Sequence, residues 1–186
     1  MRHRPLPFLR LSPLELVVLL LAAGLRVAGL AAYGATPYAD HPMVDAYTYW
    51  DQAQKLSKLL ADNGVGLLHW WTRPSSLSGV DPFAEGFYQP PGYPIFLVLL
   101  GKLTGTPDLS VTRAVQALLG LWTTAMVMVL GRRAAAPWGA PWAGAVAGLL
   151  ATLYPTVLLF EQDILTPALT SALLATALVL VLVPGG

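Results

Sequence analysis

Residues 114–131 read AVQALLGLWTTAMVMVLG, eighteen positions without a charge, closed by Arg132 and Arg133. As an α-helix rising about 1.5 Å per residue, this run reaches about 27 Å, close to the ~30 Å hydrocarbon core of a bilayer. A helix apolar on every side suits a membrane or a protein interior rather than a water-facing surface. Three more runs have the same character. Residues 11–34 are apolar except for Glu15 near the start and Arg26 in the second half. Residues 134–160 carry no charge, and Pro137 and Pro141 suggest a turn before a helix over 141–160; residues 164–183 are also uncharged. The expected spans are therefore 11–34, 112–131, 141–160 and 164–183.

Composition agrees with that reading. The chain has 186 residues, 55% hydrophobic and 11% charged, with a mean hydropathy of +0.59. Soluble domains carry about 25% charged residues. A disordered chain, a nucleic-acid binder and an ordinary cytosolic enzyme are all excluded. Eleven Lys and Arg against ten Asp and Glu leave no basic patch to explain. With no cysteine, disulfides, thiolate metal sites and cysteine nucleophiles are ruled out. The fold expected is an all-α integral membrane protein, a multi-span helical bundle with an amphipathic surface helix in its first outer loop.

The positive-inside rule sets the orientation. Arg2, Arg4 and Arg10 precede the first span, so residues 1–10 are expected in the cytoplasm and residues 35–92 outside. The apolar stretch 93–104 is ambiguous: about a dozen helical residues cover only about half the hydrocarbon thickness. It reads as a short re-entrant or interfacial helix started by Pro94, with a spanning helix as the alternative. If it does not cross, Arg132 and Arg133 reach the cytoplasm, as the rule prefers.

The outer loop differs from the rest. Residues 35–91 hold six of the ten acids and nine of the 18 aromatics. Residues 44–61 read as an amphipathic helix, with Tyr47, Trp50, Leu56 and Leu60 on one side. Asp51 with Lys55, and Lys58 with Asp62, form i,i+4 pairs on the other, and Asn63-Gly64 is a natural stop. Such a helix would lie along the membrane surface with Trp50 at headgroup level. Trp70 and Trp71 read as interfacial anchors, and Asp51, Asp62, Asp81 and Glu85 as solvated acids. Asp45 stands apart, because the first turn of a surface helix is where an acceptor in water meets a lipid-borne donor. His41 and His69 read as surface residues.

Across these residues the sequence resembles the GT-C class of membrane glycosyltransferases, in the bacterial branch related to protein mannosyltransferases and aminoarabinose transferases. The motifs are His41-Pro42-Met43-Val44-Asp45-Ala46-Tyr47, then Tyr88-Gln89-Pro90-Pro91-Gly92-Tyr93-Pro94, then Arg113-Ala114-Val115-Gln116. Gly131-Arg132-Arg133, Leu153-Tyr154-Pro155 and Phe160-Glu161-Gln162-Asp163-Ile164-Leu165 continue the pattern. The resemblance implies transfer of a sugar from a polyprenyl-phosphate carrier to a glycan, lipid or protein acceptor, on the outer face of the plasma (inner) membrane. It maps the family's first-loop general base onto Asp45 and a second acid onto Glu161 or Asp163. Tyr47, Gln89 and Tyr93 enter as substrate contacts through the same motifs. Members of the family are much longer, so the resemblance also implies that this is the N-terminal part of a longer protein. No cofactor is required; a divalent metal bridging Asp45 and Glu161 is compatible by analogy, although no His/Asp/Glu spacing demands one.

The chemistry asks for two things. A carboxylate must take the acceptor's proton, a contribution of about 10²–10⁴ in rate, and Asp45 is placed for it. A cation must help the phosphate leave. Arg26 is a candidate, since an arginine at mid-span costs about 2.5–3.5 kcal/mol and usually faces protein or a cavity; the competing reading is that it snorkels to the interface. Lys102 and Arg113 are further candidates. The alternative function is a non-catalytic membrane scaffold or a transporter fragment. A transporter should carry ionisable residues deep in several spans, or broken helices.

Overall fold

The computed structural model describes residues 11–73, 76–79, 81–83, 89–105 and 108–182. Arg2, Arg4, Arg10, Glu85, Tyr88 and Val183, on which expectations above depend, lie outside them. The regular structure among the described residues is helical, with no strand: α1 (Pro13–Gly34), α2 (Val44–Asp62), α3 (Leu67–Thr72), α4 (Gly92–Thr104), α5 (Leu109–Ala134), α6 (Ala143–Thr152), α7 (Pro155–Gln162) and α8 (Pro167–Leu182), with short 3-10 turns at Pro37–Ala39 and Ala136–Trp138. They divide into two compact units. The first comprises Met1–Ala35, Ala114–Gln162 and Thr166–Gly186; the second comprises Thr36–Arg113 and Asp163–Leu165.

In the first unit, α1 opens with a capping box. The Ser12 hydroxyl accepts from the Glu15 backbone N–H at 3.2 Å, while the Glu15 carboxylate accepts from the Ser12 N–H at 2.7 Å. Two orphan donors of the first turn are thereby satisfied. One stripe of α1, Glu15, Val18, Ala22 and Arg26, is buried. Its other faces expose Leu16, Val17, Leu20 and Val27, apolar side chains that suit lipid rather than water. At about 33 and 39 Å, α1 and α5 match or exceed a hydrocarbon core. Both are long and apolar enough to cross a membrane.

The single helix expected over 141–160 is two. The chain breaks at Leu153-Tyr154 and bends by 56° between α6 and α7. Pro155 is the physical cause: it has no N–H to continue α6, and it pushes Tyr154 out of the helical region. Counted as one bent span, the pair raises the number of candidate crossings from two to three. Where a fourth span was expected over 164–183, the described residues form α8, an apolar helix of 16 residues, shorter than the two helices long enough to cross a membrane. Close helix packing depends on glycine, as in membrane bundles generally. A Cβ on Gly144 of α6 would come within 2.8 Å of the Met128 carbonyl of α5. Val18, Met128 and Ala145 fill the space between α1, α5 and α6, and Met126, Val129, Ala175 and Val179 join α5 to α8.

In the second unit, α2 packs on α4. Its buried face is Ala46, Tyr49, Ala53, Leu56, Leu59 and Leu60, rotated from the face expected from Tyr47 and Trp50. The reason is steric: Ala46 and Ala53 let α4 approach, and Tyr49 meets Tyr93 edge-on with ring centroids 5.1 Å apart. Tyr47 is left outside, 58% exposed. Gly64, at φ +63°, ends α2, and the Asn63 side chain then clasps Ser78, donating to its carbonyl and accepting from its N–H. Trp70 is not an interfacial anchor. It is buried against Phe83, and its indole donates to Asp81 at 3.0 Å, so Asp81 is a structural acceptor rather than a solvated acid. Asp51 and Lys55 pair at 2.6 Å. Lys58 and Asp62 form no ion pair among the described residues; with Lys55, Leu59, Ser78 and Gly79 they line a hollow of about 370 Å³.

Candidate functional site

Asp45 sits in the first turn of α2, where the helix dipole favours a carboxylate. The residue before it is strained. Val44 has φ +51°, a left-handed conformation that is a genuine outlier for a β-branched side chain. Strain of this kind persists only where the surroundings over-determine it. The Asp45 carboxylate is exposed, and its Oδ1 accepts from Gln89 Nε2 at 3.0 Å. Gln89, 7% exposed, precedes Pro90 and Pro91, which lead into α4. Its Oε1 is buried without a hydrogen-bond partner among the described residues.

The other expected contacts in this unit have distinct surroundings. Tyr93 is buried on α4, and its hydroxyl finds no hydrogen-bond partner among the described residues. Burial pushes its phenol well above the ordinary tyrosine value, with Asp163 adding to the effect, so it stays protonated and can donate but not act as a base. Lys102 is exposed in the last turn of α4. Arg113 is buried, with its guanidinium donating to the Ala39 and Tyr38 carbonyls at 2.7 and 3.4 Å. It ties down the turn after α1 and is therefore already engaged. Asp163 accepts from the Ile164 N–H at 3.0 Å.

Arg26 and Glu161 meet in the first unit, although 135 positions separate them. Arg26 Nε lies 2.7 Å from one Glu161 oxygen and Nη2 donates to the other at 2.8 Å, while Nη1 donates to the Ala22 carbonyl. Both side chains are almost fully buried. Arg26 therefore does not snorkel; its guanidinium hydrogen-bonds Glu161 Oε1, while Nε and Oε2 lie at ion-pair distance without hydrogen-bond geometry. The pair borders an apolar cleft of about 310 Å³ that also touches Thr124, Leu150, Tyr154 and Ser171. The carboxylate lies so close to α5 that a Cβ on Gly120 would clash with its Oε1.

A second pair, a buried carboxylate with a half-buried guanidinium, escaped sequence reasoning. Glu15, fully buried, accepts from Arg132 Nη1 at 2.8 Å. The motif Ser12-x-x-Glu15 signals the cap, but nothing local signals the partner 117 positions away. Val44 was equally unmarked, because backbone strain leaves no compositional trace. Among the described residues no group of three or more His, Asp or Glu gathers as a metal site would require. Asp45 and Glu161 belong to different units. Comparison of the chain with protein-family models, with curated proteins and with solved structures finds no match in any of the three.

Proposed function

We propose that the chain is the N-terminal, membrane-embedded part of a glycosyltransferase that moves a sugar from a polyprenyl-phosphate carrier to an acceptor on the outer face of the inner membrane. Asp45 is its general base. The observation that carries this reading is an exposed carboxylate, on a strained helix start, hydrogen-bonded to a buried neutral amide. In the reaction, Asp45 takes the proton of an acceptor hydroxyl, whose oxygen attacks the anomeric carbon. The bond from that carbon to the phosphate oxygen breaks, and polyprenyl phosphate leaves with the electron pair. Arg113 is occupied by backbone carbonyls, whereas Lys102 is exposed in the last turn of α4 and remains a candidate cation for the phosphate. Arg26 and Glu161 serve instead as a tie between helices.

The multi-span arrangement has its own support. Glu15 at the start of α1 pairs with Arg132 at the end of α5, so these helices run antiparallel and the chain leaves α1 and enters α5 at one end of their unit. A single crossing by 93–104 would break that arrangement, which favours the re-entrant or interfacial reading. With the N-terminus cytoplasmic, cysteine at His41 should label with an impermeant reagent from outside, and cysteine at Trp138 should not.

A transporter fragment is the second reading. The broken helix pair α6–α7 and the buried Arg26–Glu161 pair favour it. The two readings part in one reconstitution. Vesicles carrying the natural full-length protein and a polyprenyl-phosphate sugar should release polyprenyl phosphate, at least about a hundredfold more slowly with Asp45→Asn. Solute uptake without turnover of the carrier would select the transporter.

A further inference from the structure

Asp45 has a difficulty as a base: an exposed aspartate at a helix start rotates freely. Efficient proton transfer needs the carboxylate held near one geometry, to within about 0.5 Å. We infer that Gln89 is the positioning residue that supplies this restraint, fixing Asp45 without neutralising it. The inference rests on the general-base reading above.

Four features carry it. The Gln89 side chain is buried and its Nε2–H donates to Asp45 Oδ1 at 3.0 Å. Asp45 makes no other side-chain hydrogen bond among the described residues, so Oδ2 stays available for the acceptor hydroxyl. Gln89 itself has little freedom, because Pro90 and Pro91 fix their φ angles near −65° at the start of α4. From the other side, the left-handed backbone of Val44 sets the direction from which Asp45 leaves the chain. A neutral amide suits the task better than lysine or arginine. A cation would favour the bound carboxylate so strongly that it would accept a proton poorly, whereas the amide orients it and leaves its charge in place. The buried, unmatched Oε1 of Gln89 fits a side chain selected for its donor: such exceptions call for an explanation beyond stability.

The test uses the natural full-length protein in vesicles with a polyprenyl-phosphate hexose, measuring kcat and the donor KM separately. Gln89→Met keeps length and burial but removes the donor; Gln89→Asn keeps the amide but withdraws it by one methylene. Both should lower kcat at least about tenfold and leave KM within about twofold. The double variant Asp45→Asn with Gln89→Met should be no slower than Asp45→Asn alone, because one residue acts through the other. A merely structural role would instead make the losses multiply. Multiplying losses, or an unchanged kcat in both single variants, would overturn the inference. Wild-type turnover in Asp45→Asn would overturn the general-base reading itself, and with it the inference, and that arm keeps the two failures distinct.

Discussion

In the first unit each buried carboxylate among the described residues faces a guanidinium, Glu15 against Arg132 and Glu161 against Arg26, whereas in the second unit the Asp45 side chain is met, among the described residues, by the neutral amide of Gln89 alone. The contrast separates two uses of charge. A carboxylate paired with a guanidinium ties helices together, and its charge is already matched by the protein. One held by a single neutral donor keeps its charge and one free oxygen. Family resemblance maps the general base onto Asp45 and a second catalytic acid onto Glu161 or Asp163. From their surroundings we propose that Asp45 and Glu161 have different roles.

The sharpest way to break that contrast is to unmatch a pair. Glu161→Ala leaves Arg26 buried and uncompensated, which should cost about 3–5 kcal/mol in unfolding measured in detergent. Replacing both partners, Arg26→Met with Glu161→Leu, should restore most of the loss, since a well-packed apolar pair often equals a buried ion pair. A double variant as unstable as Glu161→Ala would mean that the charges do more than tie helices.

Packing around the same carboxylate gives a smaller effect. Gly120→Ala places a methyl group against Glu161 and should cost about 1–3 kcal/mol. Gly24→Ala on α1 meets nothing within 4 Å and should stabilise by about 0.5–1 kcal/mol, the ordinary helix gain over glycine. Equal effects at the two positions would deny the close approach of α5 to Glu161.

In the second unit, Val44→Gly should raise stability by about 1 kcal/mol, because the left-handed conformation costs a β-branched residue about 1–2 kcal/mol and glycine little. A loss instead would show that the valine side chain has contacts worth more than the strain. Smallest of all is the exposed Asp51–Lys55 pair. Asp51 holds the Lys55 ammonium above its ordinary value, chiefly by hydrogen bonding and then by charge attraction. The contribution is fully present below the ordinary lysine value of 10.5 and fades as pH rises through the higher folded value. Asp51→Asn should therefore be nearly silent at neutral pH, and its melting temperature should meet that of the wild type in strong alkali.

What could be read from sequence divides along a physical line. Hydropathy and local stop signals pick out α1, α2, α4 and α5, because burial and capping act over a few residues. The bend between α6 and α7 was also written locally, in Tyr154-Pro155, but two prolines nearby, Pro137 and Pro141, drew the boundary instead. The pairings were not legible. Arg26 could be seen to need a partner, yet the distance to Glu161 along the chain carries no information about their distance in space. Likewise, nothing in 44–61 says whether Tyr47 or Tyr49 faces inward; the bulk of Tyr93 on α4 decides that. Asp45 was singled out by position and resemblance, while the features that single it out physically, Val44's backbone and Gln89's amide, emerged only with the fold.

The central claim is that Asp45 does chemistry and the Arg26–Glu161 pair does not. It is tested most directly by turnover per folded molecule, with a polyprenyl-phosphate sugar donor, in two variants measured together. Asp45→Asn should fold as the wild type does and lose at least about a hundredfold in kcat. Arg26→Met with Glu161→Leu should keep turnover within about threefold, the range left to indirect effects between well-separated sites. Retained turnover in Asp45→Asn together with its collapse in the folded double variant would contradict the account and move the chemistry to Glu161.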